Sequence, residues 1–290
     1  MAVVDNSFIV KKVQSRSDMI VAYCAWTNMP LVVCDPETYN DQVWIFETEE
    51  QLQNFAKPYT ERRILLRGMK YENKDFLHFF SSLFTMDVNE LVFVDENGDT
   101  KIELEQLVRK PDYSKLDPRQ VPVTNPALQL TAMYFMQEAK RPVKNEEKTD
   151  LRELEEELSS NLLKSRYLIA VEMEEGEGSV AEKLKNHQYR IPILKNKEED
   201  VYQPIFTDPI EFQKFAQNKN TYRALAVPFA QLETLLVKDA KGYMLNPRGY
   251  QLLMPKELLA GLPKRFGVSA AAVNPASTVT AQADPAGADE

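Results

Sequence analysis

Residues Trp44 to Lys57 read WIFETEEQLQNFAK, and Pro204 to Gln217, 160 residues on, read PIFTDPIEFQKFAQ. Aligned without a gap, the two stretches agree at five of fourteen positions: Ile45/Ile205, Phe46/Phe206, Gln53/Gln213, Phe55/Phe215 and Ala56/Ala216. Chance would give about one, so the chain is built on an internal repeat. In each copy Ile-Phe closes a short apolar run. Thr48 and Asp208 then stand where a side-chain oxygen can accept from an orphan N–H of a first helical turn. Gln51 and Glu211 follow three residues later, as in a capping box. Pro209 falls at the first helical position, where its missing N–H costs nothing. Leu52, Phe55 and Ala56 in one copy, and Phe212, Phe215 and Ala216 in the other, recur at helical spacing. A strand leading through a tight cap into an amphipathic helix is a core unit, and nothing in it requires chemistry.

The expected fold is α+β, of α/β character. It is a tandem repeat of two similar domains, each a small mixed sheet flanked by helices, followed by a disordered tail. The expected boundaries are a first repeat over 1–109, a linker over 110–125, a second domain over 126–267 and a tail over 268–290. Prolines at 111, 118, 122 and 126 mark the linker. The tail is Ala, Ser, Thr, Pro and acid, with almost nothing large to bury. In the first half, Ser17 to Asn28 is expected as a buried helix, Pro30 to Cys34 as a strand, and Asn73 to Thr85 as a helix with a wide phenylalanine face. In the second half, Arg166 to Val171 is matched to the Pro30–Cys34 strand. Tyr189–Leu194 and Val201–Phe206 are expected as a hairpin, and the late turns ending at Gly98 and Gly249 are matched to each other.

A length of 290 residues leaves room for two ordinary cores. The net charge of −9, with both signs interspersed, argues against nucleic acid binding through a general basic surface. No apolar run approaches the length that spans a bilayer, and the start MAVVDNSFIVKK lacks a secretory pattern, so no membrane and a cytoplasmic location are expected.

Five segments of the second half stand out in order: NPALQ, LLKSRYLIAVE, PIFTD, LAVPFAQL and YMLNPRGYQLLMP. Together, over about residues 125 to 262, they resemble the SseB-type (enhanced serine sensitivity) family of bacterial proteins, with FTD and NPRG the most recognisable elements. The first half looks like a degenerate copy. It keeps WIFET but has Glu47 where Thr207 stands and Asp95-Glu96 where Asn246-Pro247 stand. The resemblance implies α/β character and brings no catalytic residues to carry over.

Candidate chemistry is sparse. Cys24 and Cys34 lie in apolar stretches without the basic surroundings that lower a thiol pKa, so neither is expected to be catalytic. His78 falls on the polar face of its helix and His187 in a loop, with no second histidine near either in sequence. Asp95, Asn97 and Asp99 imitate positions one, three and five of a calcium loop. Thr100 and Gln106, however, replace the glycine and the bidentate glutamate such a loop needs. Asn97-Gly98 after an apolar strand is a hairpin signal, and a hairpin is expected there. No catalytic, cofactor-binding or metal residue is assigned, and no cofactor is expected. The functional expectation is a non-enzymatic protein-interaction or regulatory protein with an unidentified protein partner. Two alternatives stand beside it: a small-molecule-binding domain with its pocket between the repeats, and an enzyme using convergent carboxylates.

Overall fold

The computed structural model describes residues 7–174, 179, 182–183, 186, 188–217, 219–267 and 280–281. The chain divides into two units, one of residues 1–112 and 129–155, the other of residues 113–128 and 156–290.

The first unit contains α1 (Ser7–Ser15), β1 (Asp18–Cys24), β2 (Met29–Pro30), β3 (Val32–Cys34), β4 (Asp41–Phe46), α2 (Glu49–Glu61), β5 (Leu66–Glu72), α3 (Asn73–Leu83), β6 (Glu90–Asp95), β7 (Gly98–Glu103) and α4 (Leu104–Leu107). Helix α5 (Pro126–Ala139) belongs to this unit from residue 129 on, and α6 (Leu151–Lys164) joins the second unit from residue 156. The second unit continues with β8 (Arg166–Met173), β9 (Tyr189–Arg190), β10 (Leu194–Lys195), β11 (Val201–Phe206), α7 (Pro209–Ala216), β12 (Tyr222–Pro228), α8 (Phe229–Leu235), β13 (Gly242–Leu245), β14 (Leu252–Pro255), α9 (Lys256–Arg265) and β15 (Thr280–Ala281).

Each unit is built on one mixed sheet, of seven strands in the first and eight in the second among the described residues. The repeat is a repeat of topology. In the first unit β1 lies between β5 and β4, β4 runs parallel to β6, and β6 turns back into β7. In the second, β8 lies between β12 and β11, β11 runs parallel to β13, and β13 turns back into β14. Even the bonds that end the first ladder recur. Ala25 N donates to Leu65 O and Asn73 N to Ser17 O, as Met173 N does to Thr221 O and Phe229 N to Ser165 O. The fold is therefore α+β with two similar sheet units.

The repeated helix covers one sheet face in each unit. In the first, Leu52 packs with Ile20, Ala22 and Phe46, and Phe55 lies 5.2 Å from the Phe46 ring. In the second, Phe212 and Ala216 pack with Leu168, Ala170 and Phe206, and Phe215 lies 5.3 Å from the Phe206 ring. Phe46 and Phe206 are fully buried, each worth roughly 2–3 kcal/mol of transfer free energy. Both start signals act as caps. Thr48 and Gln51 close a capping box, and Asp208 Oδ1 accepts from Ile210 N and Glu211 N.

Several expectations are corrected. The stretch after Ser17 is strand β1, not a helix: it is a central strand whose residues Met19–Cys24 are all buried, which erases the alternation that marks a strand. Consequently Arg166–Met173 is the counterpart of β1, not of Pro30–Cys34. Tyr189–Arg190 pairs with β8, and only Leu194–Lys195 forms a hairpin with β11. Leu77, expected on the buried face of α3, is 66% exposed. Ladder register equates Phe93 with Leu245 and Thr100 with Leu252, so Gly98 corresponds to Tyr250, not Gly249. The tail expected to be disordered lies outside the described residues, apart from Thr280–Ala281, which pairs with β12.

Candidate functional site

The five segments that stand out in the second half meet at one end of its sheet. β11 and β13 are parallel neighbours, with Ile205 opposite Leu245, so the residues that follow each strand emerge side by side. After β11 come Thr207 and Asp208; after β13 comes Asn246. Asn246 sits at φ 50, in the left-handed region that asparagine tolerates better than most residues. That conformation turns its carbonyl to the following loop, where it accepts from Gly249 N at 2.9 Å and Gln251 N at 3.2 Å. Its side chain faces back to the first strand. Asn246 Oδ1 accepts from Thr207 N at 3.1 Å, and Nδ2 donates to Thr207 Oγ1 and to Tyr250 Oη, both at 2.9 Å. Thr207 Oγ1 in turn donates to Asp208 Oδ2 at 2.6 Å.

Asn125 closes the other flank. Its Nδ2 donates to Arg166 O and Thr207 O, each at 2.6 Å, and its Oδ1 accepts from Arg166 N. Tyr167 Oη donates to Leu162 O at 2.7 Å and its ring packs on Phe229. Thus NPALQ contributes Asn125, KSRYLIAVE contributes Tyr167, LAVPFAQL contributes Phe229, and FTD and NPRGY contribute the centre.

This cluster is closed to bulk solvent. Tyr167, Thr207, Asp208, Asn246 and Tyr250 have no exposed surface, and Glu211 has 1%. Lys214, which pairs with Glu211 Oε1 at 2.5 Å, is the cation that reaches solvent, while Glu211 Oε2 has no hydrogen-bond partner among the described residues. Burial pushes the Asp208 carboxyl above its ordinary range, against the pull of the Thr207 hydroxyl. Burial likewise raises Glu211, opposed by Lys214 and reinforced by the charge of Asp208. Burial raises the Tyr250 phenol well above its usual value, with Glu211 and Asp208 adding to the effect. Raised carboxyls are the raw material of general acid–base chemistry, but an acid or base must come within hydrogen-bond reach of a substrate. Here the polar atoms face one another behind a closed surface. Their chemical effect is to lock helix α7 to the turn after β13.

The first unit has no such lock. By register Glu47, Val94 and Gly98 stand where Thr207, Asn246 and Tyr250 stand. Glu47 instead meets Arg16 Nη1 at 2.6 Å and Lys12 Nζ at 3.0 Å, and Lys12 also reaches Asp95 Oδ2 at 2.7 Å. Burial works against ionisation of Asp95, but Lys12 and the Asn97 N–H hold its carboxyl below the usual range.

That geometry also describes the calcium-loop lookalike. Asp95 and Gly98 pair across the β6–β7 hairpin, and Asp95 Oδ1 accepts from Asn97 N at 2.7 Å. Asp95 turns toward Lys12, whereas Asn97 and Asp99 are exposed. Among the described residues no group of three or more His, Cys, Asp or Glu side chains is arranged to hold a metal ion. Cys24 is buried. Cys34, expected in an apolar setting, is exposed, and partial burial and the charges of Asp41 and Asp35 raise its thiol, the opposite of activation. His78 is exposed on α3, and His187 lies outside the described residues.

Sequence reasoning missed a second polar network, in the first unit. Gln42 Nε2 donates to Asp35 Oδ2 at 2.9 Å and to Glu90 Oε2, Asn40 donates to Glu90 Oε1 at 3.0 Å, and Lys101 pairs with Asp35. The Lys101 ammonium and the N–H groups of Glu37 and Thr38 hold the Asp35 carboxyl far below the ordinary range. Beside it lies a polar depression of about 230 Å³ lined by Asn40, Asp87, Asn89, Glu103, Glu105 and Lys110, among others. The five network residues come from the loop between β3 and β4, from β4, from β6 and from β7, and no local pattern announces them.

No helix among the described residues is long and apolar enough to cross a membrane. No curated protein and no solved structure matches the chain. Residues 148–261, which hold most of the buried lock, match the SseB protein N-terminal domain, and this match supports an SseB-type family assignment.

Proposed function

We propose that the protein acts by binding another protein, not by turning over a substrate. The observation that carries this reading is the complete burial of Thr207, Asp208 and Asn246, the residues of the most recognisable segments. Groups used on one another behind a closed surface cannot touch a substrate, but they do fix a helix and a turn in one relative geometry. A preorganised surface loses less conformational entropy when a partner docks. Buried ties of this kind serve recognition better than chemistry. A bacterial cytoplasmic location belongs to the same proposal, supported by the two free thiols Cys24 and Cys34, which suit a reducing compartment.

The test is capture from native lysate with the tagged full chain, followed by titration of the purified chain with whatever protein is retained. One protein bound in fixed stoichiometry and co-eluting at moderate salt is the expected result. Bait alone on the resin, with a small molecule in its native mass spectrum, would overturn the reading. So would a folded Glu211→Gln chain that has lost a measurable turnover.

A further inference from the structure

The two units differ at one sheet edge. In the second, β12 pairs with β8 on one side and with β15 on the other, where Leu225 faces Ala281 and Ala226 faces Thr280. Its counterpart β5 pairs with β1 alone among the described residues. Which backbone groups this leaves open follows from the ladder. Ala25 N donates to Leu65 O and Asn73 N to Ser17 O. Bonded pairs alternate along an antiparallel ladder, so Arg67, Met69 and Tyr71 turn their N–H and C=O groups toward β1. Leu66, Gly68, Lys70 and Glu72 turn theirs to the open edge. The same count on β12 turns Ala224 and Ala226 outward, and Ala226 is the residue opposite Thr280. Arg67, Gly68, Met69 and Lys70 are all exposed. A row of unpaired donors and acceptors is a template for another strand.

We infer that β5 is a self-association edge, at which two copies of the chain pair antiparallel about a two-fold axis centred on Met69 and join their first-unit sheets. This inference stands independently of the protein-partner reading. The register follows from chemistry. Outward residues bond only to outward residues, which puts the axis on a residue and not between two, and the axes that keep most of β5 paired are Gly68, Met69 and Lys70. An axis at Lys70 sets two lysines directly opposite, and like charges there repel. An axis at Gly68 sets two glycines opposite, with nothing to pack, and draws the charged Glu72 against Ile64. An axis at Met69 places Gly68 opposite Lys70, which separates the two lysines, and Leu66 opposite Glu72. On the other face it sets Met69 against Met69 and each Arg67 against the Tyr71 ring of the second copy, a cation–π arrangement. Of the three registers, this one alone opposes neither like charges nor two glycines.

Sedimentation velocity on the full chain tests it, at concentrations up to about 100 µM, where a micromolar Kd is saturated. A dimer is expected. Lys70→Pro removes an outward N–H that β1 does not use, and should weaken the dimer at least about tenfold with an unchanged far-UV CD spectrum. If that variant fails to fold, disulfide trapping in a Cys34→Ser background decides the matter. Met69→Cys puts two thiols on a non-bonded pair with Cα atoms about 4.5 Å apart, within disulfide range. Lys70→Cys faces Gly68 and should not cross-link. A chain that stays monomeric throughout, a dimer indifferent to Lys70→Pro, or equal cross-linking of the two cysteine variants would each overturn the inference.

Discussion

Replacing Asn246 by alanine tests whether the buried lock holds the second unit together. The side chain makes three hydrogen bonds to Thr207 and Tyr250 and has no exposed surface. Removing it orphans the buried Thr207 N–H, which costs about 1–2 kcal/mol, and forfeits two donated bonds of about 1 kcal/mol each. Alanine at φ 50 adds roughly 1 kcal/mol of left-handed strain. The expected loss is about 4 kcal/mol, a large part of the 5–15 kcal/mol that stabilises an ordinary domain. Thr207→Val removes the hydroxyl that Asn246 and Asp208 share, at about 2 kcal/mol. Both changes delete the Asn246–Thr207 side-chain bond, so the double variant should cost about 1 kcal/mol less than the two singles added. The probe matters, because both tryptophans, Trp26 and Trp44, lie in the first unit. Urea unfolding should be followed by far-UV CD and by hydrogen exchange at the Thr207–Glu211 amides. A loss below about 1 kcal/mol for Asn246→Ala, or strict additivity in the cycle, would refute the lock.

Other perturbations bear on the same physics. Because burial raises the Asp208 and Glu211 carboxyls, their stabilising contribution is complete below the unfolded carboxylate range near pH 4 and is lost as pH rises toward the folded values. Glu211→Gln should flatten that decline in urea midpoints between about pH 4 and 8, and an unchanged slope would rule it out. Lys12→Met leaves the nearly buried Asp95 carboxylate without its cation; a loss of about 2 kcal/mol is expected in tryptophan-detected unfolding, and no loss would make the ion pairs incidental. A Cβ at Gly242 would meet Met254 O at 2.2 Å and Pro255 Cα at 2.7 Å, both backbone atoms of the neighbouring strand. Gly242→Ala should therefore lower stability by about 3 kcal/mol or more, and a variant that melts like the parent would show that β14 can move aside.

The repeated strand–cap–helix was legible because its signals are local. Thr48 with Gln51, and Asp208 with Pro209 and Glu211, each announce a helix start within four residues. β1 was not legible, since a strand buried on both faces shows no alternation to distinguish it from a buried helix. The exposure of Cys34 and Leu77 was equally hidden, because an apolar neighbourhood in sequence does not fix what covers a side chain. The site was legible as separate motifs and not as a network. Thr207 and Asn246 are 39 residues apart in the chain, and only the parallel pairing of β11 with β13 brings their side chains together. No reading of FTD or NPRG alone indicates that each supplies the other's hydrogen-bond partners.

The first unit shows why such a network is kept or lost as a whole. With valine in place of Asn246, the Thr207 amide, the Thr207 hydroxyl and Tyr250 would each lose a buried partner, and partly satisfied polar clusters cost more than apolar ones. Glu47, Val94 and Gly98 replace all three side chains together. The amide that needed Asn246 is satisfied there by main chain, Glu47 N donating to Val94 O at 3.2 Å. β6 can supply that carbonyl because Val94 stays in the strand, opposite Asp99, where Asn246 leaves its strand at positive φ. The cap at the helix start survives in both units, as Thr48 and as Asp208. What differs is the lateral tie across the parallel strands: neutral and buried in the second unit, ionic and supplied by Lys12 of α1 and by Arg16 just after it in the first. One backbone plan thus carries two solutions to the same problem of satisfying the chain where it leaves a parallel strand pair, and the choice between them turns on whether residue 94 or 246 remains extended.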